Sequence, residues 1–516
     1  LHRQNVRSRH CKQKTPSINT DDFLPSALQR SASTATKMRS LAILPLLFSL
    51  AVAGVLPHTK FEKEIEKQID VDEFKKDMKI LDAHLAVETD AERAELRNLL
   101  AAVEPVPSLE AEAEKDEEDI NAENKADLFE GDIVLTNEQL SYVMANETER
   151  AKRQASMNTA IWGTTPIPFS FAAGVSDEVK GIVRAATAFW TANTCVNFQE
   201  NGAGENKILV VNKGGCYSSI GKVGKTQELS LQNNGCNSIS TATHELEHAL
   251  GVYHEQSRAD RDTYVRVNKD NIPTQNQHNF DSYPTSSAMG LPYDFGSNMH
   301  YTSDSFAKDY KFPTLIAVGS YADYQNSMRG HMPSFLDILK VNKYYKCDQK
   351  CANKANPCKN GGYLDVKNCA KCVCPEGLGG ADCTGNPDGC VVELQATTSY
   401  SKRTIEAPAG KRIEVVFDAI YSGYGSGCRM GGIELKTKTN MLQRGFRFCE
   451  TPTKKSYWSD TNKLPMLVWN NEGSFRADIQ YRYGRNKMIS IISFDFQHKK
   501  EELVDANPYL FQSFIR

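Results

Sequence analysis

The sequence predicts an α+β domain at the centre of the chain, followed by a small disulfide-bonded module and an all-β sandwich. Three observations carry this. Residues 244–254 read His-Glu-Leu-Glu-His-Ala-Leu-Gly-Val-Tyr-His, a metal-ligand spacing on a helix, within a region of mixed helical and strand patterning. Six cysteines crowd between Cys351 and Cys383. After Cys390 apolar and polar residues alternate: Phe475, Ala477, Ile479 and Tyr481 face one way, and Arg476, Asp478, Gln480 and Arg482 the other. That is the period of a half-buried strand.

At 516 residues the chain is too long for one domain. Its net charge of −3 argues against a nucleic-acid partner. Most of the 14 cysteines follow Cys195, which reads as a disulfide framework made in an oxidising compartment.

Leu1–Lys37 is basic, polar and patternless, and is read as upstream extension. Residues 38–53 read as a signal peptide: Met38-Arg39-Ser40, an apolar run from Leu41 to Val52, then small residues at Ala51 and Ala53. The alternative, a membrane anchor, is disfavoured because the run is short for a span. Residues 54–153 form a charged, cysteine-free segment, helical around 61–80 and 91–103, broken by Pro105 and Pro107. Its acidic run from Glu110 to Asp119 reads as solvated linker. The segment carries a glycosylation sequon at Asn146 and ends in Arg150-Ala151-Lys152-Arg153, a basic cleavage signal. Between a signal peptide and a folded domain this is a propeptide, cut between Arg153 and Gln154.

The central domain spans 154–347. Asp177–Phe198 reads as an amphipathic helix followed by a strand, with Val179, Ile182, Val183, Ala186 and Phe189 on one face, and Lys207–Val211 as a short strand. His244 and His248, four apart, stack on one face of a helix. Gly251 permits the left-handed helix end, after which the chain turns and His254 comes back toward the first two imidazoles. Three imidazoles with an open fourth position make a catalytic zinc site. Zinc lowers the pKa of its bound water to about 7, and Glu245 stands where it can take the proton.

The pattern H-E-x-x-H-x-x-G-x-x-H with a downstream methionine turn resembles the metzincins. The stretch His254–Tyr264, HEQSRADRDTY, is similar to the astacin family, and Gly296-Ser297-Asn298-Met299-His300-Tyr301 resembles that family's Met-turn. The resemblance is close over Leu128–Cys347. It implies a metzincin α+β fold, with a mixed sheet and an active-site helix. It also implies Met299 as an apolar floor beneath the zinc, and Tyr301 as an extra ligand that swings away to bind the oxyanion. Phe129-Glu130-Gly131-Asp132 resembles the segment whose aspartate occupies the zinc in the zymogen. Glu255 would face the amino terminus exposed by cleavage, or else pair with Arg258 on the surface. Because Gln154 sets a slightly short register, that contact is expected to be weak or water-mediated. The implied disulfides are Cys195–Cys347 and Cys216–Cys236. The first closes a loop of about 150 residues, worth about 4–5 kcal/mol in chain entropy. Val252 departs from the family, which has an aromatic residue there.

Residues 348–384 resemble an EGF-like domain through the C-x-C at 372–374 and the ending CPEGLGGADC. The resemblance implies Cys351–Cys369, Cys358–Cys372 and Cys374–Cys383, where spacing alone leaves 15 pairings open. Residues 390–503 resemble a CUB domain and 504–516 are a tail. Three of that domain's usual four cysteines are present, so Cys428–Cys449 is expected to pair, with Cys390 unpaired or intermolecular. Arg429-Met430-Gly431 replaces the acidic calcium pattern, so no calcium site is expected there.

The resemblance therefore implies a secreted, extracellular zinc endopeptidase made as a zymogen, with one zinc ion. Expected substrates are proteins or peptides, extracellular-matrix or cuticle-like proteins among them. The mature chain is expected to have no transmembrane segment, and the EGF-like and CUB-like modules to act as exosites. A binding protein with an inert protease domain is disfavoured by the intact His244, Glu245, His248, His254 and Tyr301. A structural zinc protein is disfavoured because no fourth Cys or His completes the site.

Overall fold

A computed structural model describes residues 117–121, 128–143, 161–163, 166–282, 289–387, 401–421, 426–428, 431–452, 456–470, 474–483 and 490–497. The expectations placed on residues 1–116, on Asn146, on Arg153 and Gln154, on Cys390 and on 504–516 lie outside these residues. None of the helices among the described residues is long and apolar enough to cross a membrane.

Two pieces of the segment before Arg153 lie against the central domain. The first is a helical turn, α1 (Glu117–Ile120). The second comprises β1 (Ile133–Val134) and α2 (Asn137–Val143). The domain's own strands are β2 (Ile167–Phe171), β3 (Phe198–Glu200), β4 (Lys207–Val211), β5 (Cys216–Ser219) and β6 (Thr226–Leu231). Together with β1 they form one sheet in the order β1-β5-β6-β4-β2-β3. Only the β5–β6 pair is antiparallel, so β5 is the domain's own edge strand, and β1 covers it in parallel register at Ser218 and Ser219. A bare edge offers unpaired N–H and C=O groups, and an extended peptide is the natural partner for them.

The helix α3 (Asp177–Asn193) starts where the Ser176 side chain accepts from Val179 N–H. It buries Val179, Val183, Ala186, Phe189 and Trp190 against the sheet, an apolar stripe at helical spacing. The Trp190 indole donates to Thr243 O at 3.1 Å and fixes α3 on α4 (Ile239–Ala249). Ser238 caps α4 by accepting from Thr241 N–H. Gly251 ends it with φ of 100°, and a Cβ there would meet a ring carbon of Tyr344 at 2.7 Å. Gly251→Ala is therefore expected to destabilise the domain by about 1–3 kcal/mol, measured by urea unfolding. An unchanged midpoint would mean that the turn adapts.

Beyond α4 the chain forms the small ribbon β7 (Val265–Val267) with β8 (Leu315–Ala317), then α5 (Phe335–Tyr344). Ser334 and Asp337 make a reciprocal capping box at the start of α5. Disulfides join Cys195 to Cys347 and Cys216 to Cys236. The next module is a hairpin of β9 (Tyr363–Asp365) and β10 (Asn368–Val373), stapled by Cys351–Cys369, Cys358–Cys372 and Cys374–Cys383.

The last part is a sandwich of two four-stranded antiparallel sheets. One contains β11 (Ser401–Glu406), β13 (Gly431–Leu435), β14 (Phe446–Phe448) and β16 (Lys463–Asn470). The other contains β12 (Ile413–Tyr421), β15 (Ser456–Trp458), β17 (Ser474–Tyr483) and β18 (Ser490–Gln497). Phe475, Ala477 and Ile479 point into the core, and Cys428 pairs with Cys449. The sandwich does not swing free. Its core is continuous with that of the central domain through Tyr324, whose ring meets Phe446 edge-on at 4.6 Å.

Candidate metal centre

Helix α4 sets His244 and His248 one turn apart, with ring centroids 4.7 Å from each other. The turn at Gly251 returns His254 to 5.3 Å from His244 and 4.8 Å from His248. All three are fully buried. Each ring is oriented by a contact at Nδ1. His244 meets Asn298 O at 2.8 Å, His248 meets Val252 O at 2.8 Å, and His254 meets the Glu130 carboxylate at 2.7 Å. With Nδ1 donating, Nε2 is left as the lone-pair face on each ring, the arrangement that outer hydrogen bonds impose on metal-ligating histidines.

The three Nε2 atoms converge on Asp132. Its Oδ2 lies 3.0 Å from His244 and 3.2 Å from His254, and its Oδ1 lies 3.4 Å from His248. The four ligand atoms fall within 4.8 Å of one another. A donor set of three imidazole nitrogens and one carboxylate oxygen, all buried, fits zinc. The fourth donor comes from the segment ahead of Arg153 and not from the central domain.

Glu245 follows His244 on α4 and is fully buried beside the cluster. Met299 is also fully buried and belongs to the core shared by α3, α4 and the sheet. Asp337 holds the Met299 turn in place: Ser297 Oγ donates to it at 2.6 Å and Asn298 N–H at 2.9 Å. The Tyr301 hydroxyl donates to Glu130 O at 2.5 Å. While the segment is in place, the phenol is thus engaged with it.

Glu255 departs from the surface pairing considered above. It is buried, with Lys340 Nζ at 2.6 Å and Arg258 Nη1 at 2.8 Å. Burial alone would raise its carboxyl, and those two cations hold it down. Desolvation is tolerable because both oxygens meet a charge at hydrogen-bond distance. Glu247, on the same helix, is buried without such compensation. Burial raises its carboxyl well above the usual range, Asp337 and Glu255 add to this, and Lys340 opposes it.

The described end of the acidic run, from Glu117, differs from the expectation of a solvated linker. Its Glu117 is buried and paired with Arg329, while Ile120 packs on the core of the central domain. Burial would raise the Glu117 carboxyl, but Arg329 and, more weakly, His244 hold it down to about 2. Asn121 completes the contact. Its side chain donates to Gly131 O and Cys216 O and accepts from Cys216 N–H, copying strand pairing on the β5 edge. The described parts of the segment thus meet Arg329 through Glu117, the β5 edge through Asn121 and β1, and the three imidazoles through Asp132. Glu130, Glu117 and Arg329 carry no local sequence signal of these roles. Only the neighbourhood of Glu130 to Asp132 points to one.

The peptidase family described as Astacin matches residues 154–346. The chain is 33% identical to zinc metalloproteinase nas-23 of Caenorhabditis elegans over 401 residues, covering 71% of this chain and 73% of that protein. It is 32% identical to nas-29 of the same organism over 418 residues, 70% and 77% of the two chains. With nas-31 it shares 32% identity over 390 residues, and it spans 63% of that protein's length. Among solved structures it is similar to high choriolytic enzyme 1, a hatching enzyme zinc-protease from Oryzias latipes (medaka). That match has 32% identity, covers 37% of this chain and 96% of the other, and has a TM-score of 0.35.

Proposed function

The chain belongs to the astacin family of zinc metalloproteinases, and we propose that it is a secreted endopeptidase made in a latent form. The observation that carries this reading is the convergence of three Nε2 atoms on the Asp132 carboxylate. Zinc bound there supplies Lewis-acid activation of water. His244, His248 and His254 would hold it, with Asp132 as the fourth donor until the segment leaves. Glu245 would accept the proton at its carboxylate and return it to the leaving amine. Tyr301, once Glu130 O is gone, would donate its hydroxyl to the developing oxyanion. The Met299 turn and Asp337 keep these groups in register. Cleavage after Arg153 would free Gln154 and release Asp132, with Glu255 as the carboxylate that the family resemblance assigns to the new terminus.

The module at 348–384 is read as EGF-like, the sandwich at 390–503 as CUB-like, and the substrates as extracellular, matrix or cuticle-like proteins. Six disulfides among the described residues support an oxidising compartment. The test is hydrolysis of a peptide library by the mature protein. Cleavage abolished by a chelator and restored by zinc is expected; cleavage indifferent to chelation would overturn the reading.

Substrate choice follows from what the segment occupies. Glu117 is buried against Arg329, which supports a preference for an acidic substrate side chain at that position. Arg329→Ala should lower kcat/KM for an acidic peptide by about 30-fold relative to its Gln counterpart. Positional scanning would detect this, and an unchanged ratio would sink the acidic preference.

A further inference from the structure

We propose that Arg447 of the β-sandwich is a specificity-positioning residue of the protease cleft: it holds the loop that presents Arg329 to substrate. The proposal rests on the acidic-pocket reading of Arg329. It makes the sandwich a structural wall of the substrate site as well as a candidate exosite.

The loop 327–332 carries Arg329, whose φ of 68° lies in the left-handed region that side chains rarely adopt. Such a conformation persists only where its surroundings hold it. Two hydrogen bonds do so. Arg329 N–H donates to Phe295 O at 2.8 Å, from the central domain. Arg329 O accepts from Arg447 Nη1 at 2.9 Å, from the sandwich. The Arg447 backbone N–H also donates to Ser327 Oγ at 3.0 Å, two residues before Arg329.

Arg447 is itself fixed. It is fully buried, its Nε lies 3.2 Å from Glu434, and its guanidinium carbon sits 5.3 Å from the centre of the Trp469 ring. Glu434 in turn accepts from Gly445 N–H at 2.7 Å. The guanidinium is thus pre-aimed by the sandwich core before it meets the protease loop. Arg444 braces the same loop from the other side. Its guanidinium donates to Met332 O at 2.9 Å and its backbone N–H to Asp294 Oδ1 at 3.2 Å. Its side chain lies so close to Gly296 that a Cβ there would sit 2.2 Å from Arg444 Cδ. The turn at 443–447 is a wedge between the approach to the Met299 turn and the Arg329 loop.

The experiment uses the full chain, activated by cleavage, and two peptides that differ only by Glu or Gln at the position preferred by the wild type. Arg447→Ala and Arg447→Lys are compared with wild type and with Arg329→Ala. Zinc content and thermal melting are recorded for each. Arg447→Ala is expected to lower the Glu-over-Gln ratio of kcat/KM by about tenfold, mainly through KM. Arg447→Lys, which can still donate to Arg329 O, should recover part of it. An equal loss on both peptides would mean a purely structural role and overturn the proposal, as would an unchanged ratio. If Arg447→Ala fails to fold, Ser327→Ala removes one of the two contacts from the protease side, and the same ratio must fall. A ratio insensitive to Arg329→Ala would instead defeat the acidic-pocket reading, so the two failures are distinguishable.

Discussion

Replacing Glu245 with Gln should leave the zinc in place and remove nearly all turnover. The four converging donors are Asp132, His244, His248 and His254, and Glu245 is not among them, so its amide would not disturb the metal. What would be lost is the buried carboxylate proposed to accept a proton as water attacks. General-base removal typically costs about 10²–10⁴-fold. The upper end is expected because, among the described residues, the only carboxylate in the donor cluster is Asp132, which would leave with the segment on the proposed activation. Tyr301→Phe should cost less, since it removes one oxyanion donor while the base remains, and KM should hardly move. Zinc analysis together with single-turnover peptide hydrolysis measures both. Wild-type turnover by the Glu245→Gln protein would refute the assigned chemistry.

Removing the carboxylate at Asp132 should activate the chain before any cleavage. Asp132 occupies the centre of the three imidazoles, and its neighbours add grip: Glu130 on His254, the Glu130 carbonyl on Tyr301, Asn121 on the β5 edge. Asp132→Ala should raise the activity of the uncleaved protein by about 10–100-fold. It should still fall short of the mature enzyme, because Glu117 would remain on Arg329 and β1 on the β5 edge. Adding Glu117→Ala should bring a further rise. A peptide assay on a protein made uncleavable by Arg153→Ala reads this directly. If Asp132→Ala stayed as silent as the parent, latency would lie in cleft coverage alone and not in the carboxylate.

The local features of this protein were legible in its residues alone. The spacing of His244, His248 and His254 around Gly251 requires a helix, a stop and a return, and each step follows from backbone geometry within about a dozen residues. The alternation in 475–482 set which side chains of β17 face the core, because a strand has a period of two. The run Asp177–Asn193 declared its buried stripe for the same kind of reason. Such signals are short-range, and one chain suffices to carry them.

Which distant groups meet was settled only by packing. Glu117 and Arg329 stand 212 residues apart. An acidic run reads as solvated unless a cation comes to it, and nothing near Glu117 says that one does. Lys340 reaches Glu255 from α5 and turns an expected surface pair into a buried three-group cluster. Arg447 reaches the Arg329 loop from a separate sandwich. A charge can be buried only where the fold delivers its opposite, and that delivery depends on packing across elements that no local pattern encodes.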